Sequence, residues 1–248
     1  MRATSKKSAL TAFLLCALLI CGAQTAAQDV DVTVLVELRD AGTNARVSNA
    51  SEAVVWLSHV PGNHATATKN FVHPTDRLRL TQHNKSFEPH LLVLPVGSEV
   101  EFPNRDPFFH NVFSLFEGKR FDLGLYEAGT TRNVVFDRPG ISYIFCNIHS
   151  EMSAVVIALE TPYYGVSNPQ GEILIPSVPS GRYVMHVWHQ SSLPEVLDGL
   201  TREITVSRTE SSLGVIRLTQ TTLASTHKNK YGHDYEPPAP TSPAYKRP

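Results

Sequence analysis

The sequence predicts an all-β protein made of two β-sandwiches, with an N-terminal leader and a Pro-rich tail. Short apolar or alternating segments recur with turn signals every ~8–12 residues, which is typical of sandwiches. The 248 residues include 17 Pro and 14 Gly, the residues that favour turns. No segment keeps a helical period of 3.6 residues, and only Leu193–Leu200 indicates a short helical turn.

The first half of the chain contains six predicted strands. Val32, Val34 and Val36 alternate with other residues, as expected of a half-buried strand. Turn residues separate this strand from those that follow. The predicted strands are Val30–Glu37, Ala53–Leu57, Leu78–Gln82, Leu91–Val96, Val100–Phe102 and Val112–Phe116.

The second half continues the same pattern on both sides of a boundary near Thr161–Pro162. Ser153–Leu159 is a long, largely apolar run and is also predicted as a strand. The predicted strands are Asn133–Phe136, Ile141–Phe145, Ser153–Leu159, Glu172–Ile175, Tyr183–Trp188, Glu203–Val206 and Val215–Leu218.

Residues 1–27 have the pattern of a secretory signal peptide. A basic start with Lys6 and Lys7 precedes the apolar run Ala9–Ala23, and small residues lead to a predicted cut after Ala27. We therefore expect a periplasmic or extracellular protein with no integral membrane segment after cleavage. The alternative is an uncleaved anchor, for which the run is shorter than the ~20 residues of a membrane span.

Charge and cysteine content narrow the function classes. The 22 Lys and Arg residues nearly balance 23 Asp and Glu residues, and a net charge of −1 argues against a basic nucleic-acid binder. Removal of the leader leaves Cys146 as the only cysteine. In an oxidising compartment, a single cysteine is either a buried inert thiol or a group with chemistry.

The strongest motif surrounds this cysteine. Cys146, His149 and Met152 follow the predicted strand Ile141–Phe145, and His110 lies in a polar turn upstream. Each residue alone is more typical of ordinary core or surface positions. Together they match the blue-copper ligand set of two histidines, one cysteine and a weak axial methionine. The pattern therefore predicts a metal site.

The segment Gln82–Glu160 resembles the cupredoxins, small blue-copper proteins such as plastocyanin, amicyanin and pseudoazurin. The resemblance covers about a third of the chain. The two-residue gap between His149 and Met152 is similar to that of amicyanin. The matching segments are Phe87–Pro89, Leu94–Gly97, Val100–Asn104, His110–Val112, Phe136–Gly140 and Tyr143–Met152.

This resemblance implies a site for one type-1 copper ion. His110, Cys146 and His149 would bind copper in a plane, with Met152 as the axial ligand. Asn111 would join the two ligand loops and form a hydrogen bond near the Cys146 sulfur. The ring of His149 would lie near the surface and pass electrons.

The sequence departs from the family at Ile148, where many members have proline before the second ligand histidine. Unlike proline, Ile148 has an N–H that can donate a further hydrogen bond to the thiolate. Such bonds stabilise Cu(I) and raise the reduction potential.

The resemblance implies an electron carrier between redox partner proteins, and not an enzyme. The alternatives are a copper storage or delivery protein and a non-catalytic surface binding module. A copper enzyme would need further copper sites, whereas the sequence contains one complete ligand set. Phosphate-binding, zinc-protease and hydrolase motifs are absent from the sequence. Four upstream histidines are either loop residues or ligands of a second metal: His64, His73, His83 and His90.

The segment Tyr163–His189 is similar to the carboxypeptidase regulatory-like, or transthyretin-like, sandwich domain, and residues 30–57 resemble its first two strands. We therefore expect a discontinuous domain of residues 29–60 plus 161–219. The cupredoxin domain, residues 61–160 with a core at 77–160, would be inserted into it at a surface turn. Residues 221–248 have few aliphatic side chains and many prolines, which predicts a disordered tail.

Overall fold

A computed structural model describes residues 29–60, 77–115, 117–221 and 227–235, and these contain seventeen strands and one short helix. The predicted all-β class is confirmed, whereas the predicted signal peptide lies outside the described residues. The elements are β1 (Asp29–Asp40), β2 (Val54–His59), β3 (Leu78–Arg79), β4 (Thr81–His83), β5 (Ser86–Glu88), β6 (Leu91–Pro95), β7 (Ser98–Pro103), β8 (His110–Ser114), β9 (Phe121–Tyr126), β10 (Thr131–Phe136), β11 (Gly140–Cys146), β12 (Ser153–Leu159), β13 (Tyr164–Val166), β14 (Glu172–Pro179), β15 (Gly181–Trp188), α1 (Pro194–Leu200), β16 (Arg202–Val206) and β17 (Ser212–Gln220).

The strands form four sheets and one hairpin. Sheet I has the order β14-β1-β17, and sheet II has the order β13-β2-β15-β16. Sheet III has the order β6-β12-β11-β8-β9, and sheet IV has the order β10-β7-β3. Strands β4 and β5 pair as a separate hairpin.

The two ends of the chain build sheets I and II together. Strand β1 pairs with β14 in antiparallel and with β17 in parallel orientation. Strand β2 pairs with β13 and β15, both antiparallel. The described strands between Leu78 and Leu159 pair only with one another, in sheets III and IV and in the hairpin.

Strand β12 connects two hydrophobic cores because its side chains alternate between the faces of sheet III. Ala154, Val156 and Ala158 pack in a core with residues of sheet IV such as Phe102. Val155, Ile157 and Leu159 pack in a second core with residues of sheets I and II. Sheet III is therefore covered by protein on both faces along β12.

The structure differs from the predicted elements at Leu78–Gln82 and at the strands β5, β9 and β13, which the sequence pattern did not predict. The predicted strand Leu78–Gln82 is divided, because the chain leaves its parallel partner β7 and pairs with β5 from Thr81 onward. Strand β9 was not predicted, because Asp122 and Gly124 interrupt its apolar pattern.

The helical turn predicted at Leu193–Leu200 is confirmed as α1. It has seven residues and begins with proline, which suits the first helical positions. Within the described ranges, no helix has the length and apolar character needed to cross a membrane.

Candidate metal centre

Two neighbouring strands of sheet III position the candidate ligands. His110 begins β8, Cys146 ends β11, and the two strands pair with Cys146 opposite Val112. Alternation along β8 directs His110 and Val112 to the same face. That face contributes Val112 and Cys146 to the core shared with sheet IV. His149 and Met152 follow in the loop between β11 and β12.

His110, Cys146 and His149 converge on one point inside the protein. The Cys146 Sγ lies 3.6 Å from His110 Nδ1 and 3.5 Å from His149 Nδ1. The three ligand atoms lie within 4.8 Å of one another, and all three residues are buried. The thiol and the two imidazole nitrogens can therefore face a single small cation.

Met152 lies in the same loop and is completely buried in the core that contains Cys146. Its backbone N–H donates to the His149 carbonyl at 3.1 Å, and its carbonyl accepts from the Cys146 N–H at 3.3 Å. These bonds close the loop from residue 146 to residue 152 into a tight turn. Met152 therefore shares a tight loop with Cys146 and His149 and a core with Cys146.

A buried carboxylate orients the first histidine. His110 Nε2 donates to Asp106 Oδ2 at 2.9 Å, which leaves Nδ1 as the nitrogen that faces the sulfur. The same carboxylate accepts from the backbone N–H groups of Asn84 at 2.6 Å and Lys85 at 3.0 Å. Burial raises the Asp106 pKa, but these hydrogen bonds outweigh it and hold the pKa below its ordinary value. Asp106 is therefore ionised at neutral pH.

Sequence reasoning did not identify Asp106 as part of the site. It lies four residues before His110 in a non-helical loop, where spacing does not indicate contact. The sequence indicated only that a polar turn lies before His110, and it did not indicate which residue of that turn contacts the imidazole. Asn104 shapes this turn by accepting from the Asp106 N–H at 3.0 Å and donating to the Phe108 carbonyl at 2.8 Å.

The sulfur of Cys146 is surrounded by backbone donors. Burial raises the pKa of the thiol above its ordinary value, whereas hydrogen bonds from the backbone N–H groups of Asn111, Ile148 and His149 oppose that rise. The Ile148 N–H thus acts on the sulfur. If Cys146 binds a metal as a thiolate, these N–H groups would stabilise the negative charge on its sulfur.

Asn111 joins the two ligand segments through its backbone. Its carbonyl accepts from the Asn147 N–H at 2.8 Å. Its side chain instead turns to β9, where Nδ2 donates to Asp122 Oδ1 at 2.7 Å. The contact of Asn111 with the sulfur is therefore made by its backbone N–H and not by its amide side chain.

His149, which the resemblance places near the surface, has only 3% of its own surface exposed and is covered by neighbouring side chains. The ring of Phe108 packs against it, with centroids 5.4 Å apart. Lys85 Nζ lies over the Phe108 ring, 5.6 Å from the centroid of that ring. Burial lowers the pKa of His149 to about 4, and the neighbouring His110 adds to this effect. The imidazole is therefore neutral at physiological pH and able to bind a metal.

Of the four upstream histidines, His83 and His90 lie outside the cluster of converging donors. His83 faces Glu88 at 3.5 Å, and His90 forms hydrogen bonds with the Ser153 carbonyl and the Gln190 side chain. His64 and His73 lie outside the described residues. In the part of the chain that the structure describes, only His110, Cys146 and His149 form a cluster with metal-site spacing.

Residues 227–235 of the predicted disordered tail are described by the structure and pack against the candidate metal centre. Tyr235 Oη donates to the Cys146 carbonyl at 2.5 Å, and the Lys230 N–H donates to Asn147 Oδ1 at 2.9 Å. Aromatic stacking and hydrogen bonds replace the aliphatic contacts whose absence predicted disorder. The remainder of the tail, apart from Thr221, lies outside the described residues.

Comparisons with known proteins provide partial likenesses. No protein-family model matches the chain, and no curated protein matches it. Among solved structures it is similar to a Cu-containing nitrite reductase (NirK) from Thermus scotoductus SA-01, with 25% identity over 34% of this chain and a TM-score of 0.33. This chain spans only 23% of that reductase.

Two smaller copper proteins are also similar in structure. A purple cupredoxin from Nitrosopumilus maritimus is 22% identical over 33% of this chain and 99% of its own, with a TM-score of 0.30. Amicyanin from Paracoccus versutus is 20% identical over 35% of this chain and 84% of its own, with a TM-score of 0.32. About a third of this chain therefore has cupredoxin-like structural neighbours.

Proposed function

We propose that His110, Cys146, His149 and Met152 would hold one copper ion and that this protein carries single electrons. The observation that supports this proposal is the approach of two imidazole nitrogens and one cysteine sulfur to within 4.8 Å of one another in a buried pocket. One thiolate, two imidazoles and a thioether are the donor set that copper electron-transfer sites use.

The surrounding residues suit such an ion. The His149 imidazole is neutral, and the Asp106 carboxylate holds His110 with Nδ1 directed to the sulfur. A bound copper ion would supply a Cu(I)/Cu(II) couple. The ends of β8 and β11 fix the ligand positions, so that the two redox states share one geometry. Backbone N–H groups around Cys146 stabilise the thiolate.

Electron transfer is favoured over copper storage or delivery by the burial of the donors. His110 and Cys146 have no exposed surface, and His149 has 3%. Copper release to a receiving protein would require the loop to open, whereas electrons can cross a thin protein layer. The redox partners would be other proteins, and no bond chemistry is proposed for this site.

The proposal is tested by the absorption spectrum of the copper-loaded protein. We expect an intense visible thiolate-to-Cu(II) band that disappears in Cys146→Ser. His83→Asn, which changes an exposed histidine outside the cluster, should keep the band. Absence of the band in the parent, or its persistence in Cys146→Ser, would refute a copper–thiolate site. Slow copper loss to a chelator would argue against a delivery role.

We also propose the domain division and the location that the sequence suggested. Pairing of β1 and β2 with strands beyond Tyr164 supports a discontinuous regulatory-like domain of residues 29–60 plus 161–219. Residues 61–160 would then form the inserted copper domain. The leader pattern of residues 1–27 supports export to the periplasm or the cell exterior. A proteolytic or mass-spectrometric determination of the mature N-terminus tests the export proposal.

A further inference from the structure

Residues 227–235, here called the strap, cover the loop that carries the copper ligands. The strap follows β17 in sequence and contacts Cys146 at the end of β11 in sheet III. Asn229 shapes it, because its side-chain Oδ1 accepts from the N–H groups of Tyr231 at 2.9 Å and His233 at 3.0 Å. The strap is therefore a defined turn with its own hydrogen bonds.

Two hydrogen bonds attach the strap to the ligand loop itself. Tyr235 Oη donates to the carbonyl of Cys146 at 2.5 Å. The Lys230 N–H donates to Asn147 Oδ1 at 2.9 Å. Burial raises the pKa of Tyr235 well above its ordinary value, so the phenol keeps the proton that it donates.

The third connection between the strap and the ligand region is an ion pair. Lys230 Nζ lies 2.8 Å from Asp122 Oδ2, and the Lys230 side chain is only 18% exposed. The other oxygen of Asp122 accepts from Asn111 Nδ2 at 2.7 Å. The Asn111 backbone N–H acts on the Cys146 sulfur. Lys230 is thus linked to the sulfur through two intervening residues.

Aromatic packing holds the strap against sheet III. The His227 ring stacks on Phe145, with centroids 4.2 Å apart and planes at 29°. Tyr235 meets the same imidazole edge-on at 5.2 Å. Phe145 directly precedes Cys146, so this contact also lies beside the ligand strand.

We propose that Tyr235 and Lys230 are positioning residues of the metal centre, and that the strap sets the geometry and the reduction potential of the Cys146 site. The inference rests on the proposed copper function. The phenol donates to the carbonyl of the ligand cysteine and withdraws electron density from it, which stabilises Cu(I). The Lys230 ammonium offsets the Asp122 carboxylate and acts in the same direction.

The test uses the full chain and three variants. Tyr235→Phe keeps the ring and removes the hydroxyl donor, and Lys230→Met keeps the stem and removes the charge. Lys228→Met is the matched control, because the Lys228 side chain is 58% exposed in the same segment and its ammonium pairs with Asp234. Each protein is examined without metal by the alkylation rate of Cys146, and with copper by voltammetry and absorption.

We expect Cys146 in Tyr235→Phe and Lys230→Met to be alkylated several-fold faster than in the parent when metal-free. Both variants should have a lower reduction potential and a shifted thiolate–copper band, while Lys228→Met matches the parent. Parent-like alkylation and potential in both variants would overturn the proposal. Faster alkylation with an unchanged potential would also overturn it, since the strap would then be only a cover.

The alkylation rate is measured without metal, so it tests the strap proposal independently of the proposed copper function. A parent that shows no copper–thiolate band would refute the proposed function. The metal-free rates would still decide whether Tyr235 and Lys230 hold the ligand loop. A normal parent band with parent-like variants would instead refute the strap proposal alone.

Discussion

The Asp106 carboxylate accepts a hydrogen bond from His110 Nε2 at 2.9 Å, in a position that is 4% exposed. This pair places a fixed negative charge one ring away from the proposed metal. It also selects the imidazole nitrogen that faces the sulfur. Carboxylates that orient ligand histidines in this way increase the basicity of the ligand.

We expect Asp106→Asn to raise the reduction potential and weaken copper binding by roughly 10–100-fold, because loss of the charge destabilises Cu(II) and loosens His110. Voltammetry and competition with a copper chelator measure the two effects. Asp137→Asn, at a 52% exposed side chain paired with Lys119, is the control and should leave both values unchanged. An unchanged or lower potential in Asp106→Asn would contradict this role.

We expect Ile148→Pro to lower the reduction potential, because it removes an N–H that acts on the Cys146 sulfur and stabilises the electron-rich state. Ile148→Ala keeps the N–H and controls for the loss of the side chain. Voltammetry of the copper-loaded proteins decides the outcome. A potential in Ile148→Pro equal to or above that of the parent would disprove the expectation.

Phe108 controls access to His149, and we expect Phe108→Ala to accelerate electron exchange with a small oxidant such as ferricyanide. The ring packs on the imidazole at 5.4 Å, so its removal exposes the proposed ligand. Because Phe108 is half-buried, the stability cost should fall below the ~3–5 kcal/mol of a fully buried phenylalanine. Stopped-flow kinetics give the rate.

The neighbouring Phe109 provides the matched control, because its side chain is 51% exposed. Phe109→Ala should retain the parent rate with a small inorganic oxidant. Equal rates for the parent and Phe108→Ala would show that the ring does not limit access to the site.

The metal-free protein should lose stability as the pH falls below ~6.5, the ordinary histidine value. Burial lowers the pKa of His149 to about 4 and also lowers that of His110. Between these values the unfolded chain binds more protons than the folded chain, so acidification favours unfolding. Denaturant titrations at pH values between these two pKa values measure the decrease in the free energy of unfolding. This decrease should be smaller in His149→Gln. Equal pH dependence in the two proteins would exclude His149 as a source.

The converging donors could be predicted because their signals are local in sequence. An apolar strand ends at Cys146, His149 follows within one turn, and His110 begins another strand. Antiparallel pairing of β8 with β11 then brings the two segments together. The apolar run Ser153–Leu159 likewise indicated a strand, which is β12, whereas its role between two cores is seen only in the structure.

The features that sequence reasoning missed depend on tertiary contacts between loops. Asp106 reaches His110 only because Asn104 shapes the turn between them. Phe108 covers His149 from a different loop. Residues 227–235 lack aliphatic side chains, and their attachment through stacking and hydrogen bonds depends on partners more than 80 residues away in the chain, as the 83-residue separation of Lys230 and Asn147 illustrates.

The alternation of β12 between two cores has a consequence for how the molecule melts. Val155, Ile157 and Leu159 would face water if sheets I and II unfolded, because these sheets supply the rest of their core. The sheets of the two predicted domains therefore depend on each other for a complete hydrophobic core. Calorimetry should therefore record a single cooperative transition, in which the copper-ligand region and the peripheral strands unfold together.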